Sequence, residues 1–206
     1  MTKVTASITV SVDGYIAAPE DGPGKGLGAG GERLHNWVFG GPWRYADATR
    51  GEPKGEDAVW MTQALQGLGA VVAGRSTYEA AGHWGGRSPW QAPVFVLTHR
   101  VEERPDGRDF SFVAGVDTAV EAAREAAEGR NVHVMGGAQT IRQALAANLV
   151  EELSVIVAPV ILGAGKRLFE GFSNTIDLEQ IGVRQSQFAT FLDYKVKTGS
   201  SVAAAP

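Results

Sequence analysis

No cysteine occurs in the 206 residues. That excludes disulfide staples and thiolate metal centres and makes a reducing compartment, the cytoplasm, the natural expectation. No stretch approaches the roughly 18 apolar residues of a membrane-spanning helix. The N-terminal Met1 to Ala6 lacks the apolar core of a secretory signal. Basic runs are also missing, and the formal net charge is −4. A nucleic-acid partner, which needs a cationic face, is not expected. The histidines at 35, 83, 99 and 133 show no ligand spacing, so no metal site is expected. Neither a G-x-S-x-G elbow nor a Walker P-loop occurs. A deaminase signature, H-x-E followed by P-C-x-x-C, is also missing.

What remains is an ordinary globular composition, 44% hydrophobic and 20% charged, of a length that suits one core. Residues 3–12 alternate and are rich in β-branched types, which predicts a strand. Short apolar runs at 70–73, 93–98, 110–113 and 131–135 predict further strands. Helical rhythms fall at 56–67, 74–82, 116–129 and 139–148. Strands alternating with helices predict an α/β fold with a largely parallel central sheet. After residue 150 come a strand at 153–161, interrupted by Pro159, and a pair at 176–184 and 187–197 with no helix between them. The C-terminal strands are therefore expected to pair antiparallel. One domain over 1–197 and a flexible tail over 198–206 follow. An unpaired C-terminal strand edge further suggests a homodimer.

Residues 19–54 are rich in Gly, Pro and charge. A loop of that length is functional or mobile, and its aromatics Trp37, Phe39, Trp43 and Tyr45 predict that it packs somewhere. Within it, residues 26–31 match G-x-G-x-x-G literally. They follow no predicted strand and open no helix, so they read as a flexible loop and not as a nucleotide fingerprint.

Three strand ends have the composition of anion sites. Gly74-Arg75-Ser76-Thr77 combines a small residue, a cation and hydroxyls at a helix start, where unpaired N–H groups and the dipole favour an anion. Gly136-Gly137-Ala138-Gln139-Thr140 lets a pyrophosphate approach the backbone. Thr98-His99-Arg100 offers a hydroxyl and a cation suited to an extra phosphate. Each alone also reads as a plain capped helix, tight turn or solvated loop. Together, at strand carboxyl ends of one sheet, they predict a dinucleotide site.

These segments, with Ser11 to Ala17, Tyr78-Glu79, Val96-Leu97-Thr98, Val134-Met135 and Ala158 to Gly165, occur in an order that resembles the dihydrofolate-reductase-like superfamily. The nearest branch is the reductase domain at the C-terminus of riboflavin-biosynthesis proteins. The resemblance runs from residue 3 to about 195. It implies an eight-stranded, mostly parallel sheet with flanking helices, and NADPH as cofactor. It also implies that residues 74–77 and 136–140 hold the pyrophosphate, that residues 98–100 read the 2′-phosphate, and that Ile16 and Ala17 lie beside the nicotinamide. The loop after them would close over the site. On the substrate side the resemblance points to Asp57 as the acid that orients a substrate or relays a proton. Its place near a helix start also fits a plain dipole-stabilised acid. Trp60 and Met61, on the same helix, and Asp13 are candidate substrate contacts, although Asp13-Gly14 also reads as a turn. The activity implied is hydride transfer from NADPH to a small heterocyclic or carbonyl substrate. The rival reading is a non-catalytic NADP(H)-binding module, and an enzyme using a flavin or another anionic cofactor is a third.

Overall fold

A computed structural model describes residues 2–100 and 109–197; the expected tail at 198–206 lies outside the described residues. The strands are β1 (Val4–Ser11), β2 (Tyr15–Ala17), β3 (Leu68–Gly74), β4 (Val94–Leu97), β5 (Phe110–Val113), β6 (Asn131–Val134), β7 (Glu152–Ala158), β8 (Lys166–Arg167), β9 (Leu178–Gln185) and β10 (Thr190–Val196). The helices are α1 (Glu56–Leu65), α2 (Arg75–Ala80), α3 (Val116–Ala126) and α4 (Ala138–Ala146). Eight strands form one sheet in the order β5-β4-β3-β6-β1-β7-β10-β9. The pairings from β5 to β7 are parallel. Strand β10 is antiparallel to both β7 and β9, as a helix-free connection requires.

Alternation along the strands builds the two faces. On one, Val4, Ala6 and Val10 of β1 join Ala70, Val72, Val132 and Val134 under the alanine-rich stripe of α3 and under Ile141, Ala144 and Leu145 of α4. The other face carries two separate clusters. Tyr78 of α2 packs on Val71, Ala73, Val94, Val96, Phe110 and Phe112. Trp37 and Trp60 pack on Ile156 and Phe191 at the far end of the sheet. Between these clusters the sheet floor is formed by β1 and β6.

The expected strand through Pro159 ends at Ala158, because proline brings no N–H to the ladder. A small second sheet, β2 with β8, is too short to leave a periodic signal. The long loop is packed and not free. Trp37 donates its indole N–H to Thr9 Oγ1 at 3.0 Å, Trp43 donates to the Glu32 carbonyl at 2.8 Å, and Tyr45 Oη accepts the Leu27 N–H at 2.7 Å. The glycine run at 26–31 is held as well. Gly28 has a φ of 78°, and a side chain there would strike the Pro19 and Ala18 carbonyls. The expectation of a flexible loop is thus corrected: glycine is present because the chain turns tightly against itself. Among the described residues no helix is long and apolar enough to cross a membrane.

Candidate active site

Residues 74–77 and 136–140 meet at the carboxyl ends of β3 and β6, which are neighbours in the sheet. The Gly74 N–H donates to the Gly136 carbonyl at 2.8 Å. A Cβ on Gly74 would stand 2.5 Å from Thr140 Oγ1, and one on Gly137 would stand 3.2 Å from Thr77 Oγ1. The two glycine segments therefore lie against each other, with hydroxyls from α2 and α4 between them. Gly137 caps α4 with extended backbone, and no side chain among the described residues engages the cap. The helix's first N–H groups, Ala138 and Gln139 among them, are left for another acceptor. Ile16 reaches the same spot, its Cδ1 3.7 Å from where a Gly137 Cβ would be. Ile16 and Ala17 are buried.

The third segment follows β4, the next strand outward. Thr98 is buried, and its hydroxyl accepts the Arg100 N–H at 3.1 Å. Two cations converge on one carboxylate here. Arg75 Nε lies 2.7 Å and an Arg100 terminal nitrogen 3.5 Å from Glu79 Oε1. Arg75 also sits 5.9 Å over the Phe112 ring. Ser76 and His99 are exposed on the same rim. Both guanidinium groups are thereby gathered next to the glycine cradle. Sequence reading does not single out Glu79 as their anchor, although the Arg75–Glu79 spacing of four is a helix-pair signal.

Asp57 lies in the first turn of α1 and is 2% exposed. Its Oδ1 has no hydrogen-bond partner among the described residues. Burial raises its pKa above the ordinary carboxylate value, and a hydrogen bond from the Ser186 hydroxyl partly offsets this. A helix-dipole acid would normally sit in solvent; this one is dry, with one oxygen uncommitted. Ser186 precedes β10, and Thr190 of β10 pairs with Val157 near the end of β7. Asp57 is thus held at the same end of the sheet as the glycine cradle.

The other substrate-side candidates have structural partners of their own. Asp13 is a loop brace: Oδ1 accepts from Ser11 Oγ at 2.6 Å and from the Leu162 N–H at 3.1 Å, and Oδ2 accepts the Gly163 N–H at 2.7 Å. These bonds, the Ser11 one foremost, lower its pKa to about 2. Trp60 is 7% exposed, stacked at 5.1 Å on Phe191, with its indole N–H 3.4 Å from Asp193 Oδ1. Trp60 and half-buried Met61 belong to the apolar cluster with Trp37, Ile156 and Phe191. The signal for that role was their position on the apolar stripe of α1.

One group that sequence reading passes over lies on the cleft floor. His133 of β6 is bonded at Nδ1 to Thr5 Oγ1 at 3.0 Å and at Nε2 to Ser7 Oγ at 3.1 Å. Burial pushes its pKa down to about 4; His35, in the long loop, is also at about 4 through burial and the nearby Arg50. Both histidines fold neutral. As pH falls from 6.5 toward 4, the unfolded chain takes up protons that the folded chain refuses, so each costs stability over that window. Asp57, whose raised pKa acts with the opposite sign, opposes them. The pH dependence of unfolding in a His133→Gln chain should be shallower by about one proton between those limits. Equal slopes in urea titrations of the two chains would contradict the assignment.

Comparison with known proteins agrees with this fold. The family model of the RibD C-terminal domain matches residues 2–190. The chain is 27% identical over 193 residues to the uncharacterized protein YwjB of Bacillus subtilis (strain 168), covering 93% of this chain and 97% of that one. A putative riboflavin biosynthesis protein from Shewanella sp. PV-4 superposes with a TM-score of 0.70 at 22% identity, covering 95% and 99% of the two chains. A pyrimidine reductase-like protein of Corynebacterium diphtheriae gives 0.63 at 16%, covering 96% and 93%. Dihydrofolate reductase of Enterococcus faecalis, complexed with NADP(H) and RAB-propyl, gives 0.60 at 14%, covering 94% and 96%. The fold is dihydrofolate-reductase-like, and the chain belongs to the RibD C-terminal domain family.

Proposed function

We propose that the protein is an NADPH-dependent reductase acting on a small heterocyclic or carbonyl substrate held between the glycine cradle and Asp57. The observation that carries this reading is the close junction of Gly74 with Gly136 and Thr140, where a single Cβ would strike the Thr140 hydroxyl. Backbone N–H groups at the start of α4 and the hydroxyls of Thr77 and Thr140 suit a pyrophosphate. Arg75 and Arg100, gathered by Glu79, suit a further phosphate at the rim. NADP(H) in the E. faecalis enzyme of the same fold supports the choice of cofactor.

When bound, the cofactor supplies the hydride, and the chain supplies position, dryness and a proton. Hydride addition to the carbon of a C=N or C=O leaves a lone pair on nitrogen or oxygen that must be protonated. Asp57, whose burial favours the neutral acid, can give that proton directly or through one water and recover it from solvent. Its uncommitted Oδ1 can meanwhile accept an N–H of the substrate. Trp37 and Trp60 keep bulk water from this side of the cleft.

Calorimetry with NADPH and NADH, and NADPH oxidation against pterin, pyrimidine and carbonyl panels, test the reading. Arg100→Ala should erase most of the preference for NADPH, about tenfold for one lost phosphate contact. Asp57→Asn should bind NADPH normally and lower turnover by about a hundredfold or more. Binding without turnover on any panel would favour a sensor module. A preference untouched in Arg100→Ala would remove the phosphate role.

A homodimer belongs to the same proposal. Strand β9 ends the sheet with Leu178, Ile181 and Val183 exposed at 39, 52 and 53%, an edge suited to pairing with a second copy. Sedimentation should give twice the chain mass; a monomer at micromolar concentration contradicts this.

A further inference from the structure

The floor of the cleft is polar where its walls are apolar. On β1, Thr5, Ser7 and Thr9 alternate toward this face. Thr9 holds Trp37 of one wall. Across the floor Met135, packed with the Tyr78 cluster, begins the other. Strand register pairs Thr5 with His133 and Ala6 with Val134. Ser7 therefore lies one step on, beside Met135 and just inside the Gly136–Gly137 pair. Thr5, Ser7 and His133 are each half-buried, so the floor keeps an open edge.

The Val132 carbonyl favours one direction of the hydrogen-bond chain. Thr5 has one hydroxyl proton, and the Val132 carbonyl lies 3.5 Å from its oxygen. With the proton turned there, Thr5 offers only lone pairs to His133 Nδ1, 3.0 Å away. Nδ1 then carries the imidazole proton, and Nε2 of the neutral ring is bare. The Ser7 hydroxyl, 3.1 Å from Nε2, must donate to it. Ser7 has no other hydrogen-bond partner among the described residues, so its lone pairs remain for whatever enters the cleft.

We propose that Ser7 is a specificity-determining acceptor on the cleft floor, its own proton committed to His133, which selects ligands that present an N–H or O–H donor to the sheet. This rests on the ligand occupying the cleft of the proposed function, but not on the identity of the cofactor. Ser7 and the buried, uncommitted Oδ1 of Asp57 are both acceptors. A ligand with donors on two edges satisfies both, whereas one carrying only acceptors leaves both unpaired in a dry site. His133 and Thr5 act through Ser7 as positioning residues.

Two measurements test the proposal without a known substrate or NADPH. Long-range proton–nitrogen correlation of the imidazole should show His133 with its proton on Nδ1; the Nε2–H tautomer overturns the proposal. Indole and benzofuran differ in little more than an N–H against an oxygen. Titrated into labelled protein, indole should shift the Ser7 amide and bind about fivefold tighter than benzofuran, the value of roughly one hydrogen bond. In Ser7→Ala that ratio should fall to near one while the fold, read by the remaining amide spectrum, is kept. No indole shift at Ser7, a preference for benzofuran, or a ratio unchanged in Ser7→Ala each overturns it. A chain that fails to bind NADPH but keeps the tautomer and the indole preference refutes the cofactor reading alone.

Discussion

Gly74→Val is expected to lower NADPH affinity by about a hundredfold or more, roughly 3 kcal/mol. The reason is steric and not conformational. Gly74 has φ −75° and ψ 150°, extended backbone that any residue adopts. What forbids a side chain is the neighbour: its Cβ would stand 2.5 Å from Thr140 Oγ1 and 3.5 Å from the Gly137 nitrogen. Thr140 is buried in the first turn of α4 and cannot turn aside without unpacking. To admit valine, the start of α4 must move away from β3, so the amides of 137–140 lose their place opposite residues 75–77. Overpacking of this kind costs about 1–3 kcal/mol of stability as well. Thermal melting and calorimetry separate the two losses. The double variant Gly74→Ala with Thr140→Ala should recover much of the stability, because it removes the clashing hydroxyl. A Gly74→Val chain that binds NADPH as the parent does would show that the cradle holds nothing.

Phe191→Ala should cost about 3–5 kcal/mol, the usual penalty for deleting a buried phenyl ring. At this chain length that lowers the melting temperature by about 10 °C. Phe191 is fully buried. It lies edge-on to Trp37 at 5.3 Å and stacked on Trp60 at 5.1 Å, and Trp37 in turn meets Trp60 at 5.5 Å. The ring is the common partner of two elements: α1, and the middle of the long loop. Its loss should loosen the wall that carries Asp57 more than the glycine cradle. Turnover should then fall further than NADPH affinity, and tryptophan fluorescence should shift red. A melting point within 2–3 °C of the parent would mean that the wall is held by other contacts.

The strands and helices were legible because their signals are local. Alternation marked β1, short apolar runs bounded by turn residues marked β3 to β6, and glycines marked the two junctions. That the junctions share one site depends on β3 and β6 being adjacent, a pairing between segments about 60 residues apart that no local pattern encodes. The same limit hid the cleft floor. Thr5 and Ser7 read as an ordinary polar strand face, and His133 as an isolated histidine, until the parallel register set them side by side. Asp13 carried two readings, turn and substrate contact; its bonds to Ser11, Leu162 and Gly163 place it in the turn, and two of those partners come from a distant loop. Asp57 was legible as an acid near a helix start, but its burial comes from long-range packing around Trp60 and Ser186. The long loop reads by composition as functional or mobile, and its aromatics predict that it packs. Where they pack is not local information: they form a cluster of their own, with Trp43 within 4.7 Å of both Phe39 and Tyr45 and Arg50 over the Phe39 and Trp43 rings.

Titrating NADPH into uniformly nitrogen-labelled protein and mapping the shifted amides tests the central claim most directly. Joint shifts of the backbone amides at 75–77 and 137–140, saturating with one affinity and weaker for NADH, are the result expected from two strand ends facing a single dinucleotide. Shifts confined to one of the two segments, or gathered elsewhere on the sheet, would contradict it.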